Sequence, residues 1–302
     1  MKKLFLPLLF VAIVLGFILP GGQYLKPLLP WLLSTLLFFN FYVISFERKQ
    51  IVQKGILFYF GVVFLIVPLL LFLATKSVSP SFRIGLFLTA ITPSAISGPI
   101  VVTMLEGNFG LSIANTVVYN LFSPLSYTLL TKLYFNTSDL NVDFEQMILK
   151  LLVLICIPFG LALVAKRISR LTRPLQTIAS YINILFLFIV FSAVSASSGR
   201  LQTISGTELL FVLLAVCLVV MALYLSGFLL GQDWESKKAL AVSMGHKNNS
   251  LCIWLAVANF DPLAAIPPTV YIIVQHSVNA LLILFFTRRA SSRGDRNVQR
   301  PS

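Results

Sequence analysis

Acidic side chains are scarce in this chain. Its 302 residues hold 10 Asp and Glu against 23 Lys and Arg, and charged residues of both signs make up 11%. A water-soluble domain needs far more polar surface than that, so a soluble protein is excluded. Cysteine is sparse too. Cys156, Cys217 and Cys252 each stand alone in apolar surroundings, at no metal-ligand or CxxC spacing, and are expected to be buried, reduced and structurally ordinary. No apolar segment carries paired carboxylates, an HExxH, a Ser/His catalytic motif or an Asp-rich diphosphate motif, and Glu106 and Asp261 fall at segment ends. These absences argue against an intramembrane enzyme.

What fills the chain is apolar, 58% of it. At about 20 residues per membrane crossing, ten candidate spans lie near 4–20, 28–46, 56–74, 82–105, 110–134, 147–165, 181–198, 208–230, 236–260 and 263–286. The first follows Met1-Lys2-Lys3 and ends in LPGGQ with no small-x-small cleavage site, so it reads as a retained helix. Ten spans put both termini on one side. With the termini in the cytoplasm, the inner segments carry sixteen of the 23 Lys and Arg. The outer segments carry six (Lys26, Lys76, Arg83, Lys132, Lys150 and Arg200), and the one left over is Lys247. This is the positive-inside pattern, and it explains a formal charge of +13 without a nucleic-acid partner. The expectation is an all-α, multi-pass protein of a bacterial cell membrane, with the lipid bilayer as its partner and both termini cytoplasmic.

The two halves echo each other. EGNFGLSIA places Asn108-Phe109 at the end of the fourth span, and VANFDPLAA places Asn259-Phe260 at the end of the ninth, 151 residues later and half of 302. Five spans per half start the second half on the opposite face, so residues 1–146 and 147–290 are expected to form inverted repeats, followed by a basic cytoplasmic tail at 291–302. The same two spans are interrupted. Span four contains TPSAISGP and span nine contains GHKNNS. Proline removes a donor and glycine unwinds cheaply, and paired interruptions in inverted halves point to a transporter's midplane site. Unwinding and crossing are expected around Ser97-Gly98-Pro99 and Lys247-Asn248.

Lys247 lies nine residues past Lys238 and fourteen before Asp261, which places it roughly 13 Å from one interface and 21 Å from the other. A lysine at that depth costs on the order of 3 kcal/mol unless paired or hydrated, and its stem, about 6 Å long, is too short to snorkel out. Other polar groups recur at helical spacing. Span five carries Ser112, Asn115, Thr116, Tyr119, Asn120, Ser123 and Ser126, and span ten carries Tyr271, Gln275, His276 and Asn279. Singly such residues serve as interhelical hydrogen bonds. Together, beside two broken helices, they suggest a solvated substrate cavity.

The stretches TPSAISGPIVVTMLEGNFGLSIANTVVYNLFSPL and MGHKNNSLCIWLAVANFDPLAAIPPTVY resemble the bile acid:sodium symporter family. In that family a Pro-Gly-Gly-Thr-Ala-Ser-Asn crossover precedes a Gly-Asn and a Leu-Ser, and a Glu-x-Gly-Met-Gln-Asn-Ser crossover lies in the second half. The resemblance implies a ten-helix transporter of organic anions with a panel domain (spans 1, 2, 6 and 7) and a core domain (spans 3–5 and 8–10). It implies that Ser112 and Thr116 match hydroxyl ligands of a sodium site, and that His276 matches a histidine lining the substrate cavity. The family's crossover Ser-Asn falls on Gly98-Pro99, its sodium-binding Glu on Ser243, its Gln on Lys247, the following Asn on Asn248 and its third-helix Gln on Val63.

Cation coordination is where this chain departs from the family. A hard cation wants several oxygens, preferably with a carboxylate among them. Lys247 is therefore expected to stand in the place of a sodium ion, with Ser112, Thr116, Ser243, Gly98 and Pro99 as the remnant of the site. Asn248, Asn249, His276, Asn279, Ser97 and Asn115 are the expected substrate contacts. The function expected is sodium-independent transport of a small carboxylate, sulfonate or bile-acid-like anion, with no cofactor; a proton, from Lys247, His246 or His276, is the alternative coupling ion. The competing readings are a sodium-coupled symporter using backbone ligands, and a non-transporting membrane receptor of the same fold.

Overall fold

The computed structural model describes residues 5–44, 55–76, 78–135 and 142–298, and among them the regular elements are helices joined by one isolated antiparallel bridge. Lys2, Lys3, Arg48, Lys49, Lys54 and Arg300, used above to orient the chain, lie outside these residues. The helices are α1 (Phe5–Ile18), α2 (Leu29–Val43), α3 (Ile56–Ala74), α4 (Pro80–Ala90), α5 (Gly98–Met104), α6 (Phe109–Tyr134) and α7 (Phe144–Lys166). They continue with α8 (Thr172–Ala179), α9 (Asn183–Leu201), α10 (Gly206–Leu230), α11 (Trp234–Gly245), α12 (Asn249–Asn259) and α13 (Ile266–Val298). The last helix runs without interruption to Val298, into the segment expected as tail.

Among the described residues, four helical stretches are both long and apolar enough to cross a membrane, Ile56–Ala74, Phe144–Lys166, Gly206–Leu230 and Pro262–Phe286, and the bent pair Ser169–Ala179 with Ile184–Gly199 makes a fifth if it is one span. The chain is thus an integral membrane protein. Spans four and nine are each two shorter helices, α4 with α5 and α11 with α12. The 26-residue α6 is long enough, but it buries Ser112, Asn115, Thr116, Asn120 and Ser123 along one side. Pro124 leaves the Asn120 carbonyl without its usual donor, and Ser123 Oγ supplies one at 2.7 Å, so α6 continues through the proline.

Two sets of neighbours stand out in the packing, and contacts of α6 with α7 and of α9 with α12 join them. In one, α1 lies against α9, and α2 against α7, α8 and α9. In the other, α10 packs on α11 and α13, α6 on α5 and α11, and α4 on α13. Lipid is as apolar as leucine, so close approach holds such helices together rather than hydrophobic transfer. Gly227 makes the α10–α11 seam possible, since a β-carbon there would overlap the Leu240 backbone.

One expectation about the cysteines is corrected. Cys252 is buried, but Cys156 is exposed and Cys217 partly so. In a membrane the outward positions of a helix are as apolar as the inward ones, so apolar neighbours do not imply burial.

Candidate functional site

At the two breaks the backbone gives up its internal hydrogen bonds, and at membrane depth each freed group needs another partner. The first break follows from Pro93, which has no N–H and pushes Thr92 off the helical region, so α4 ends at Ala90 and α5 begins at Gly98. Its centre is Pro93-Ser94, about a turn before the expected Ser97-Gly98-Pro99, because Gly98 and Pro99 already form the first turn of α5. The second break, at His246 to Asn248, contains no proline. The breaks pair with each other as a bridge between Ser94 and Lys247. Ala95 N donates to His246 O at 2.7 Å, and Asn248 N donates to Pro93 O at 2.9 Å.

Side chains meet the remaining freed groups. Lys247 Nζ, 1% exposed, donates to Thr92 O at 2.8 Å. Asn120 Nδ2 donates to Ser94 O at 2.8 Å, Tyr271 Oη to Gly245 O at 2.7 Å, and Ser94 Oγ to Ser243 O. Gln275 Oε1 accepts from Lys247 N and from Asn249 Nδ2, both at 3.0 Å. Asn248 Nδ2 donates to Asn120 Oδ1 at 3.2 Å and its Oδ1 accepts from Ser250 Oγ at 2.8 Å. The polar run of span nine is therefore a set of caps for an unwound crossing. Asn120, Tyr271 and Gln275 show in the sequence only as members of polar helix faces, and no local signal marks Thr92.

One edge of the crossing is open. Ser97 is exposed although its neighbours from Thr92 to Pro99 are otherwise buried. Beside it, His246 forms a chain of contacts. Tyr224 Oη donates to Asn279 Oδ1 at 2.7 Å, which leaves Asn279 Nδ2 to donate to His246 Nδ1, also at 2.7 Å. An accepting Nδ1 makes His246 the neutral Nε2–H tautomer, so Nε2 donates to Ser97 Oγ at 3.3 Å. The half-buried His276 ring stands edge-on to it, with centroids 5.6 Å apart.

The expected cation-site residues divide. Ser243 Oγ and Ser112 Oγ are 3.4 Å apart, and a β-carbon on Gly98 would sit 4.0 Å from Thr116 Oγ1. The Lys247 ammonium joins neither, being turned toward Thr92. Asn115 is fully buried, and neither its Oδ1 nor its Nδ2 has a partner. The same is true of Thr116 Oγ1 and Tyr119 Oη on the same stretch of α6, and of Asn249 Oδ1. Val63, where the resembled family has a glutamine, is buried in a π-helical turn of α3, Val62–Ile66.

The sequence matches known proteins. Residues 4–288 match the model of the SBF-like CPA transporter family. The chain is 26% identical over 258 residues to "Uncharacterized sodium-dependent transporter YocS" of Bacillus subtilis, covering 82% of this chain and 78% of that one. It is 25% identical over 240 residues to "Probable sodium/metabolite cotransporter BASS1, chloroplastic" of Arabidopsis thaliana, covering 76% of this chain and 58% of that one.

Proposed function

The chain belongs to the SBF-like CPA transporter family and is therefore a transporter, not an enzyme; we propose that it carries a small organic anion by alternating access, without requiring sodium. The observation that carries this reading is the pairing of two broken helices through Ser94 and Lys247, with an open edge at Ser97. Broken helices that meet at mid-chain spacing are how membrane carriers build a site from irregular backbone.

Two hydrogen bonds support an inverted repeat. Asn120 donates to the carbonyl of Ser94, and Tyr271, 151 positions after Asn120, donates to that of Gly245, 151 positions after Ser94. On this reading α1, α2, α7 and α9 form the panel, and α3–α6 with α10–α13 form the moving core. Both termini lie in the cytoplasm of a bacterial cell.

Charge supports an anionic substrate. The crossing holds Lys247 and the positive end of α12, with the His276 ring beside His246. A carboxylate or sulfonate, bile-acid-like or smaller, suits these groups. Sodium is poorly served. Ser243 stands where the resembled family has a carboxylate, its hydroxyl is turned to Ser112, and Gly98-Pro99 offers no side-chain oxygen. Lys247 stands in the same crossing, with its Nζ held to the Thr92 carbonyl. A second reading, sodium-coupled symport through backbone carbonyls, has in its favour the names of the two relatives and the unpartnered oxygens of Asn115 and Thr116.

Uptake into proteoliposomes across a panel of carboxylates and sulfonates, with choline replacing sodium at constant ionic strength and pH, decides between them. Saturable uptake unchanged by the replacement is expected. A saturable sodium requirement overturns the first reading in favour of the second.

A further inference from the structure

We propose that the connection between α7 and α9 is a binding site for the phosphate headgroups of anionic phospholipids. Residues 166–180 read KRISRLTRPLQTIAS. Leu175 and Ala179 pack inward against the core, seating α8 on α2. Ile168, Leu171, Ile178 and Tyr181 remain exposed, at 43%, 37%, 49% and 57%. Arg167, Arg170 and Arg173 are exposed as well, within one short connection. The stretch Ser169–Ala179 leaves the line of the following helix by 47°, as a segment does when it turns from the bilayer interior toward its surface.

Lys166 is not part of the cationic set, because its ammonium donates to the carbonyl of Ile44, the cap of α2. Among the described residues, no hydrogen bond or ion pair engages the three guanidinium groups. The chain contains no acidic residue between Glu145 and Glu208, so no neighbour in this part of the sequence can neutralise them. An amphipathic segment with exposed apolar side chains and exposed guanidinium groups matches a headgroup layer, where acyl chains meet the apolar groups and phosphates meet the cations. Guanidinium groups also bind phosphate through two parallel hydrogen bonds, which an ammonium does not. Free phosphate offers nothing to the four apolar side chains, so the lipid is the occupant. The proposal rests on the membrane-spanning reading above only in requiring the end of α7 to lie at a leaflet surface.

The test uses the purified full-length protein in mixed micelles of neutral detergent with equal phosphatidylglycerol and phosphatidylcholine, reading retained lipid by native mass spectrometry. At about fivefold per basic residue near an anionic surface, a preference for phosphatidylglycerol of roughly tenfold or more is expected. R167Q/R170Q/R173Q falls to parity, R167K/R170K/R173K keeps an intermediate preference, and K76Q, on the opposite side of the proposed topology, keeps it whole. Equal retention of both lipids by the wild type overturns the proposal. So does a preference that survives in R167Q/R170Q/R173Q, or full displacement of the lipid by millimolar inorganic phosphate. Transport is not read, so a sodium requirement or an unsuspected substrate leaves the result standing.

Discussion

Lys247 Nζ meets the carbonyl oxygen of Thr92 at 2.8 Å across 155 residues of chain, fastening one broken helix to the other. This single bond sets a structural duty beside the electrostatic one. An ammonium has three protons to donate, and this one uses a single proton within the protein while 1% exposed.

The two duties separate in Lys247→Gln. The shorter amide leaves the Thr92 carbonyl without its donor, which costs about 1–3 kcal/mol. It also removes a deeply buried ammonium, which relieves on the order of 3 kcal/mol. The terms nearly cancel, so the melting temperature is expected to stay within a few degrees. Anion affinity, which has no such offset, falls tenfold or more. Substrate titration and thermal unfolding on one preparation read both. Unchanged affinity in a well-folded variant removes Lys247 from the anion site.

Tyr271→Phe isolates a cap from the chemistry. The ring remains and only the donor to Gly245 O is lost, stranding a buried carbonyl at a cost of about 1–3 kcal/mol. A clear drop in melting temperature with unchanged helical content is expected. Equal stability of the variant and the wild type means that the second break does not depend on this bond.

Parts of this arrangement were legible in the sequence because they break a local rule. Pro93 inside an apolar span, and His246 to Asn249 inside another, stand out against any membrane helix. The partners of those groups were not legible. The Thr92 carbonyl looks like any other until a lysine 155 positions away reaches it. Ser97-Gly98-Pro99 drew the expected break forward because glycine and proline mark helix starts as readily as helix ends, and here they open α5. The exposure of Cys156 was hidden because lipid-facing and core-facing positions share one composition.

Restoring the missing carboxylate tests the coupling assignment by gain of function. Ser243 and Ser112 already face each other, and Thr116 has an unpartnered oxygen nearby in α6. Ser243→Glu combined with Lys247→Gln supplies a negative ligand and removes the competing ammonium. Uptake by the double variant is expected to become sodium-dependent, read as a saturable rise with sodium at constant ionic strength. A double variant that folds, transports and ignores sodium shows that these positions do not carry the cation site.

Asn115 offers the sharpest separation of stability from function. Both ends of its amide are buried without a partner, and Thr116 Oγ1 and Tyr119 Oη, within about one turn of it, are in the same condition. Native interiors rarely leave one such group unmet, and the proposed anion is the polar occupant that would meet these groups during the cycle. An unmet buried amide costs about 1–3 kcal/mol, and Asn115→Leu, close in volume, removes that cost. The variant is expected to melt a few degrees higher and to transport at least tenfold more slowly, because the occupant loses a hydrogen-bonding partner. Proteoliposome uptake and thermal unfolding give the two readouts. A lower melting temperature with normal uptake means that the amide serves the resting fold alone and that the occupied site lies elsewhere in the crossing.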